Sequence, residues 1–307
     1  MVGKINNLIL ELNSTCNNNC IYCYLPEQLR FRKHANSFEY FKTVLLEFKD
    51  KNIQNLDITG GEPTLLPELE ELVSYAKKLG YNNITLVSNG RMLSYASKCS
   101  NLIRKGVRRI VITLDADSEF LGDAISRAPG SFKQVLKAAV NVKKFGAELG
   151  LTMVINKLNY RNCEKVIEKA ISLKADFFSI QFLLPHIENS TVPCRKIHKS
   201  VIPRYDESIK FVKSSLDKYG KRIKISLHFI APCLMKGYEK YIEPELNKSD
   251  RFIVDYLGNR YYISEHLKKG ATRIKECSGC KYFSNCPGLF FSYAKELGIN
   301  NMLNKNG

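Results

Sequence analysis

The sequence predicts an α/β fold, a partial (β/α)6 barrel followed by a small C-terminal module. Three observations point there. From residue 6 to about 229, short β-rich runs alternate with amphipathic helical stretches. The β-rich runs are near-continuously apolar, as strands covered on both faces are. Beyond about residue 220 the alternation gives way to a single alternating strand, a hairpin and a group of cysteines. Alternating strands and helices build a parallel sheet wrapped by helices. Six such units fall short of the eight that close a TIM barrel.

The predicted strands, in order, are Leu8–Leu12, Leu56–Ile58, Ile84–Val87, Ile110–Leu114, Leu151–Ile155 and Phe178–Leu183. Helical spacing of apolar residues separates them. Phe41, Val44, Leu45 and Phe48 mark one helix; Leu69, Leu72, Val73 and Ala76 mark the next. Phe132, Val135, Leu136 and Ala139 mark another. Gly80 and Gly146 are placed to end two of these helices as C-terminal caps. Ile223, Ile225, Leu227 and Phe229 then alternate like a strand, and "DRFIVDYLGNRYYISEH" reads as a hairpin turning at Gly258-Asn259. An aromatic helix is expected over Leu289–Leu297. The division that follows is a core over 1–219 and a module over 220–307.

In a barrel of this kind, ligands bind at the C-terminal ends of the strands. The segments there are "NSTCNNNC", "TGGEPT", "SNGR", "DADS", "NKLN" and "LPHIEN". Every one carries polar residues or glycine, the pattern of a site.

Composition narrows the classes. The chain has 307 residues, 44% of them hydrophobic, enough for one large domain or a domain with an appendix. No apolar run approaches the ~18 residues of a membrane span. The N-terminal "MVGKINNLILELN" breaks into polar residues too soon for a signal peptide. A cytoplasmic protein without a membrane partner is expected. The net charge of +17 comes mostly from lysines scattered beside many asparagines, a compositional bias rather than a nucleic-acid site. The ten cysteines are clustered rather than spread, which favours thiolate metal ligands over a disulfide framework.

The first group is "CNNNCIYCY", with Cys16, Cys20 and Cys23 following the first strand and no close fourth ligand. Zinc is usually closed by four N/S ligands in pairs, and this group is not paired. Closely spaced cysteines in one loop hold iron–sulfur clusters, and three of them leave one iron open to an outside ligand. This CxxxCxxC at the end of a first barrel strand resembles the signature of the radical S-adenosylmethionine (radical SAM) enzymes. Tyr22 stands at the aromatic position before the third cysteine, and "TGGEPT" after the second strand is similar to the family's glycine-rich loop. The resemblance implies that S-adenosylmethionine (SAM) supplies the missing ligand of a [4Fe–4S] cluster. It further implies that Gly60 and Gly61 bring backbone close to the SAM ammonium and that Glu62 offsets its charge. Ser88 and Asn89 would meet the ribose or the methionine carboxylate, Asn156 the ribose, and Tyr22 the adenine. For Ser88, Asn89 and Asn156 the alternative reading is turn-forming residues at strand ends. The chemistry implied is reductive cleavage of SAM to a 5′-deoxyadenosyl radical, which takes hydrogen from the substrate.

Cys277, Cys280 and Cys286 form the second group, with Cys233 as the best candidate for a fourth ligand. A zinc ribbon would use the same residue types. Beside a radical SAM core the arrangement is similar to the SPASM and twitch extensions, which implies one auxiliary [4Fe–4S] cluster. Cys99 and Cys163 read as buried thiols. Cys194, His186 and Glu188 read as loop residues beyond the sixth strand.

The resemblance implies an oxidoreductase or maturase served by an electron donor such as flavodoxin or ferredoxin. A peptide or protein side chain ranks first as substrate, modified by oxidation, crosslinking or epimerisation. A small metabolite or cofactor precursor comes next, then a nucleotide or tRNA. A non-enzymatic Fe–S or zinc sensor binding nucleic acid is the alternative outside catalysis.

Overall fold

The computed structural model describes residues 5–26, 36–49, 51, 53–184, 195–243, 251–284, 286 and 288–290. Nine strands form one sheet. They are β1 (Asn7–Glu11), β2 (Asn55–Thr59), β3 (Asn83–Ser88), β4 (Val107–Thr113), β5 (Glu148–Ile155), β6 (Phe177–Phe182), β7 (Lys224–His228), β8 (Arg251–Val254) and β9 (Arg260–Tyr262). Their order is β7-β6-β5-β4-β3-β2-β1-β8-β9. Neighbours from β7 to β8 are all parallel, and β9 runs antiparallel to β8. All six predicted strands are present, in sequence order across the sheet.

The helices supply the outer layer. They are α1 (Phe38–Lys49), α2 (Leu69–Lys78), α3 (Ala96–Lys105), α4 (Glu119–Ser126), α5 (Ser131–Lys144), α6 (Cys163–Ser172), α7 (Tyr205–Tyr219) and α8 (Ile263–Lys269). Phe41, Val44, Leu45 and Phe48 of α1 are buried, as are Leu69, Leu72, Val73 and Ala76 of α2. Gly80 and Gly146 follow the ends of α2 and α5 with φ of 100° and 82°, a left-handed conformation that costs glycine little.

Period-2 alternation divides each strand between two surroundings. In β1, Leu8 and Leu10 are fully buried against the helices, while Ile9 and Glu11 turn to the barrel interior and are less covered. Thr59, Val87, Thr113, Val154 and Gln181 hold the corresponding place on the following strands and share one cavity with Glu11.

Two expectations change. The strand around residues 223–229 is β7, which pairs in parallel with β6, and the hairpin at Gly258-Asn259 adds β8 and β9 to the other edge. The segment beyond residue 220 is thus joined to the barrel through the sheet itself. Leu289 and Phe290 belong to a short strand, β11 (Leu289–Phe290), paired with β10 (Ala271–Thr272) rather than to a helix. The remainder of that expected helix, with His186, Glu188 and Cys194, lies outside the described residues. No helix among the described residues is long and apolar enough to cross a membrane.

Candidate active site

A cavity of about 450 Å³ opens at the C-terminal ends of the strands, a size within the range of about 300–1,000 Å³ usual for small-molecule sites. Cys16, Cys20 and Cys23 all line it, and each is a free thiol. The loop carrying them is pinned by backbone bonds from Asn19 and Ile21 to Ser126 and Ile125 of α4, at 2.9 and 3.0 Å. Cys23 closes a turn onto the Cys20 carbonyl at 3.1 Å. Burial pushes the Cys16 thiol up to about 11, with the charges of Glu62 and Cys23 adding to it. Cys20 is raised still further by burial, Asp115 and the other two sulfurs. Buried thiols set this close need a shared positive partner to ionise together.

Gly60 and Gly61 line the same cavity and are wedged against the cysteine loop. Gly61 N–H donates to the Asn13 carbonyl at 2.6 Å, and Glu62 N–H to Thr15 at 2.7 Å. A Cβ on Gly61 would lie 2.4 Å from the Thr15 carbonyl oxygen. A Cβ on Gly60, which has φ 138°, would lie 2.6 Å from that of Asn13. Only glycine allows the two loops to approach this closely.

Glu62 is fully buried and does not line the cavity. Its Oε1 accepts from Thr64 N–H at 3.1 Å, from the Ser88 hydroxyl at 2.8 Å and from the Thr64 hydroxyl. Its Oε2 accepts from Asn89 N–H at 2.7 Å. Burial raises its carboxyl, and these donors oppose the shift. Glu62 therefore ties the glycine loop to the end of β3, where Ser88 and Asn89 do line the cavity. Asn89 also reaches Asn17 Oδ1 at 2.7 Å and Cys16 Sγ at 3.7 Å. Glu62→Gln should set an amide N–H against one of these donors. We expect it to lower stability by about 1.5–3 kcal/mol, read by denaturant unfolding, and to weaken SAM binding through displacement of Ser88 and Asn89. Unchanged values for both would reduce the hub to a passive turn.

Tyr22 lines the cavity, and its hydroxyl donates to Asp115. Asn156 is fully buried and absent from the lining. Its side chain bonds Val154 O and Leu158 N–H, both at 3.0 Å, which shapes the turn after β5. The turn-forming reading describes its contacts.

Sequence reasoning did not single out Glu11, Asp115, Tyr261 or His266, all of which line the cavity. Asp115 stands in "DADS" at a strand end; it accepts from Val154 N–H at 2.8 Å, and burial raises its carboxyl to about 7. His266 of α8 stacks on Tyr261 at 5.0 Å, and burial together with Lys269 lowers its pKa.

The second cysteine group converges on a separate, small cavity of about 20 Å³. Cys233, Cys277, Cys280 and Cys286 all line it. Cys233 sits in the short helical turn Pro232–Met235 after β7. Its thiol rises to about 11 through burial and then through the charges of the other three. Arg273 holds the segment, donating to the carbonyls of Phe283 and Cys286 at 2.7 and 2.9 Å. Tyr282 reaches Glu239 at 3.0 Å. Among the described residues, no three His, Cys, Asp or Glu side chains converge tightly enough for one bare ion; both groups border cavities instead.

The pattern of the Radical SAM superfamily matches residues 10–170, from β1 through α6. The chain belongs to the Radical SAM superfamily. The matched span holds every sulfur and glycine of the larger cavity. The PqqA peptide cyclase of Streptomyces rochei is 29% identical over 175 residues, 57% of this chain and 47% of that one. The chain thus spans about half the length of that relative. SuiB of Streptococcus suis, solved with its precursor peptide SuiA, superposes with a TM-score of 0.70 at 14% identity, covering 95% of this chain and 73% of that one. The enzyme anSMEcpe with bound AdoMet gives 0.66 at 16% identity, covering 94% of each. At these identities the structural matches show a shared fold.

Proposed function

We propose that this chain is a radical SAM enzyme that modifies a peptide or protein side chain, by oxidation, crosslinking or epimerisation. The observation that carries the reading is one cavity shared by Cys16, Cys20, Cys23, Gly60 and Gly61 at the strand ends. The donor set fits a cluster: three thiols lining one cavity, no fourth cysteine beside them among the described residues, and glycine backbone facing the space where an outside ligand would lie. A [4Fe–4S] cluster with SAM, bound there, would supply one-electron reductive cleavage and a 5′-deoxyadenosyl radical that abstracts hydrogen.

The chain's own residues would do the rest. Cys16, Cys20 and Cys23 would hold the cluster, and Gly60 and Gly61 would present backbone to the SAM ammonium. Ser88 and Asn89 would meet the ribose or carboxylate, and Tyr22 would flank the adenine. Glu62 and Asn156 would act through the loops they fix. The apolar remainder of the cavity, including Leu183, Leu184 and Phe229, would exclude water from a reactive intermediate. Residues 220–307 would form the cluster-binding module, with Cys233, Cys277, Cys280 and Cys286 around one auxiliary [4Fe–4S] cluster. An electron donor such as flavodoxin or ferredoxin would feed the core. Peptide substrates are supported by the names of the relatives, a peptide cyclase and a protein solved with its precursor peptide.

Anaerobic reconstitution with iron and sulfide, followed by dithionite and SAM, tests the reading. 5′-Deoxyadenosine and methionine should form in a 1:1 ratio. Iron incorporation without SAM cleavage would favour an Fe–S sensor and overturn the enzymatic reading.

A further inference from the structure

Glu11 ends β1 on the interior face, in the ring formed with Thr59, Val87, Thr113, Val154 and Gln181 at the C-terminal ends of the strands. It is the one ionisable side chain in that ring. Its carboxylate is enclosed by protein yet opens on the cavity, and among the described residues neither a hydrogen bond nor a cation offsets it; the influences on it are burial and the charge of Asp255. Asp255 follows β8, the neighbouring strand, and is itself occupied by its hairpin turn. It accepts from the N–H groups of Leu257 and Asn259 at 2.9 Å and from the Asn259 side chain at 2.9 Å. Of these two neighbouring carboxylates one is satisfied and one faces the cavity, and among the described residues no positive charge compensates the second. Burying such a group costs free energy unless a partner arrives.

A proton neutralises the group at low pH, and above that a cation entering from the cavity would do so. We propose that Glu11 anchors a cationic nitrogen of the substrate, a lysine ammonium, an arginine guanidinium or the amino terminus of a peptide. This rests on the peptide reading above. Ile253, Ile263 and Leu267 line the same cavity, so a long aliphatic stem ending in positive charge is matched along its length as well as at its tip. The burial that raises the Glu11 carboxyl to about 7 is relieved when a cation pairs with it, so binding strengthens as pH rises toward 8. The other titratable groups on this side of the cavity are Tyr261 and His266, with Asp255 near enough for its charge to act on Glu11; His266 is held toward its neutral form by burial and by Lys269.

The experiment uses reconstituted, SAM-loaded holoenzyme to capture peptides from a displayed random library, with free and acetylated amino termini in separate pools. Wild type should enrich lysine- or arginine-containing peptides, or require the free terminus. Glu11→Gln should lose that preference, with binding of a selected peptide falling about tenfold or more. Glu11→Asp should retain part of it, and Glu11→Lys should turn the selection toward acidic peptides. Should Glu11→Gln fail to load iron, the same question is put to wild type: replacing lysine by norleucine or arginine by citrulline in the selected peptide must weaken binding by a similar factor. Captured peptides without a basic preference, or a preference unchanged in Glu11→Gln, would overturn the anchor and leave the peptide reading standing. Capture of no peptide above background would overturn the peptide reading, and the anchor with it.

Discussion

Protein with Cys16, Cys20 and Cys23 changed together to alanine is expected to keep about half of its iron and to form no 5′-deoxyadenosine. Two [4Fe–4S] clusters correspond to ~8 Fe per chain and one to ~4. The separation should be clean because the two cysteine groups border different cavities. Alanine at these positions removes the sulfurs and leaves the backbone bonds to α4 intact, since those are made by Asn19 and Ile21. The fold should therefore survive, and iron analysis with SAM turnover gives the readout. Continued SAM cleavage by the triple variant would remove the first cysteine group from the reaction.

The second large effect is expected from a single residue. Cys233→Ala should halve the iron while leaving SAM cleavage in place, and product formation on the proposed peptide substrate should fall to background. Cys233 lies 44 positions before Cys277 (277 − 233) and is brought to Cys277, Cys280 and Cys286 only by the path of β7 to β11. It is thus the proposed ligand whose loss tests the tertiary arrangement rather than a local motif. Full product formation without the second cluster would leave the module a structural role. Zinc in anaerobically purified protein would replace the auxiliary cluster with a ribbon-like site.

The barrel was legible in the sequence because its strands are short apolar runs bounded by polar ends, and its helices keep strict 3.6-residue spacing. Leu8, Leu10 and Leu12 were readable as one covered face, and the same alternation implied that Glu11 points the other way. That implication passed unnoticed because its importance depends on which strand lies beside β1. The pairing of β8 with β1 is such a case: it joins residues more than 240 positions apart, and nothing local encodes it. Glu62 shows a different limit. Its motif was recognisable, but the four donors that occupy its carboxylate come partly from β3, so its direct neighbours could not be read from "TGGEPT". Tyr261 and His266 reach the cavity only because the hairpin folds against the first strand. Asn156 was readable in both ways, and its local turn contacts match what a polar residue at a strand end ordinarily does.

The sheet runs in a line from β7 to β9 and ends there. Cys233 leaves the β7 edge, whereas Cys277, Cys280 and Cys286 follow the β9 edge, and all four meet. Phe229, just past β7, touches Phe290 of β11 edge-on at 6.4 Å. The arrangement is that of a bracelet with its clasp. The chain between Cys233 and Cys277 is also anchored midway, where β8 pairs with β1. A metal group held by all four thiols would bind the two edges of the sheet to each other.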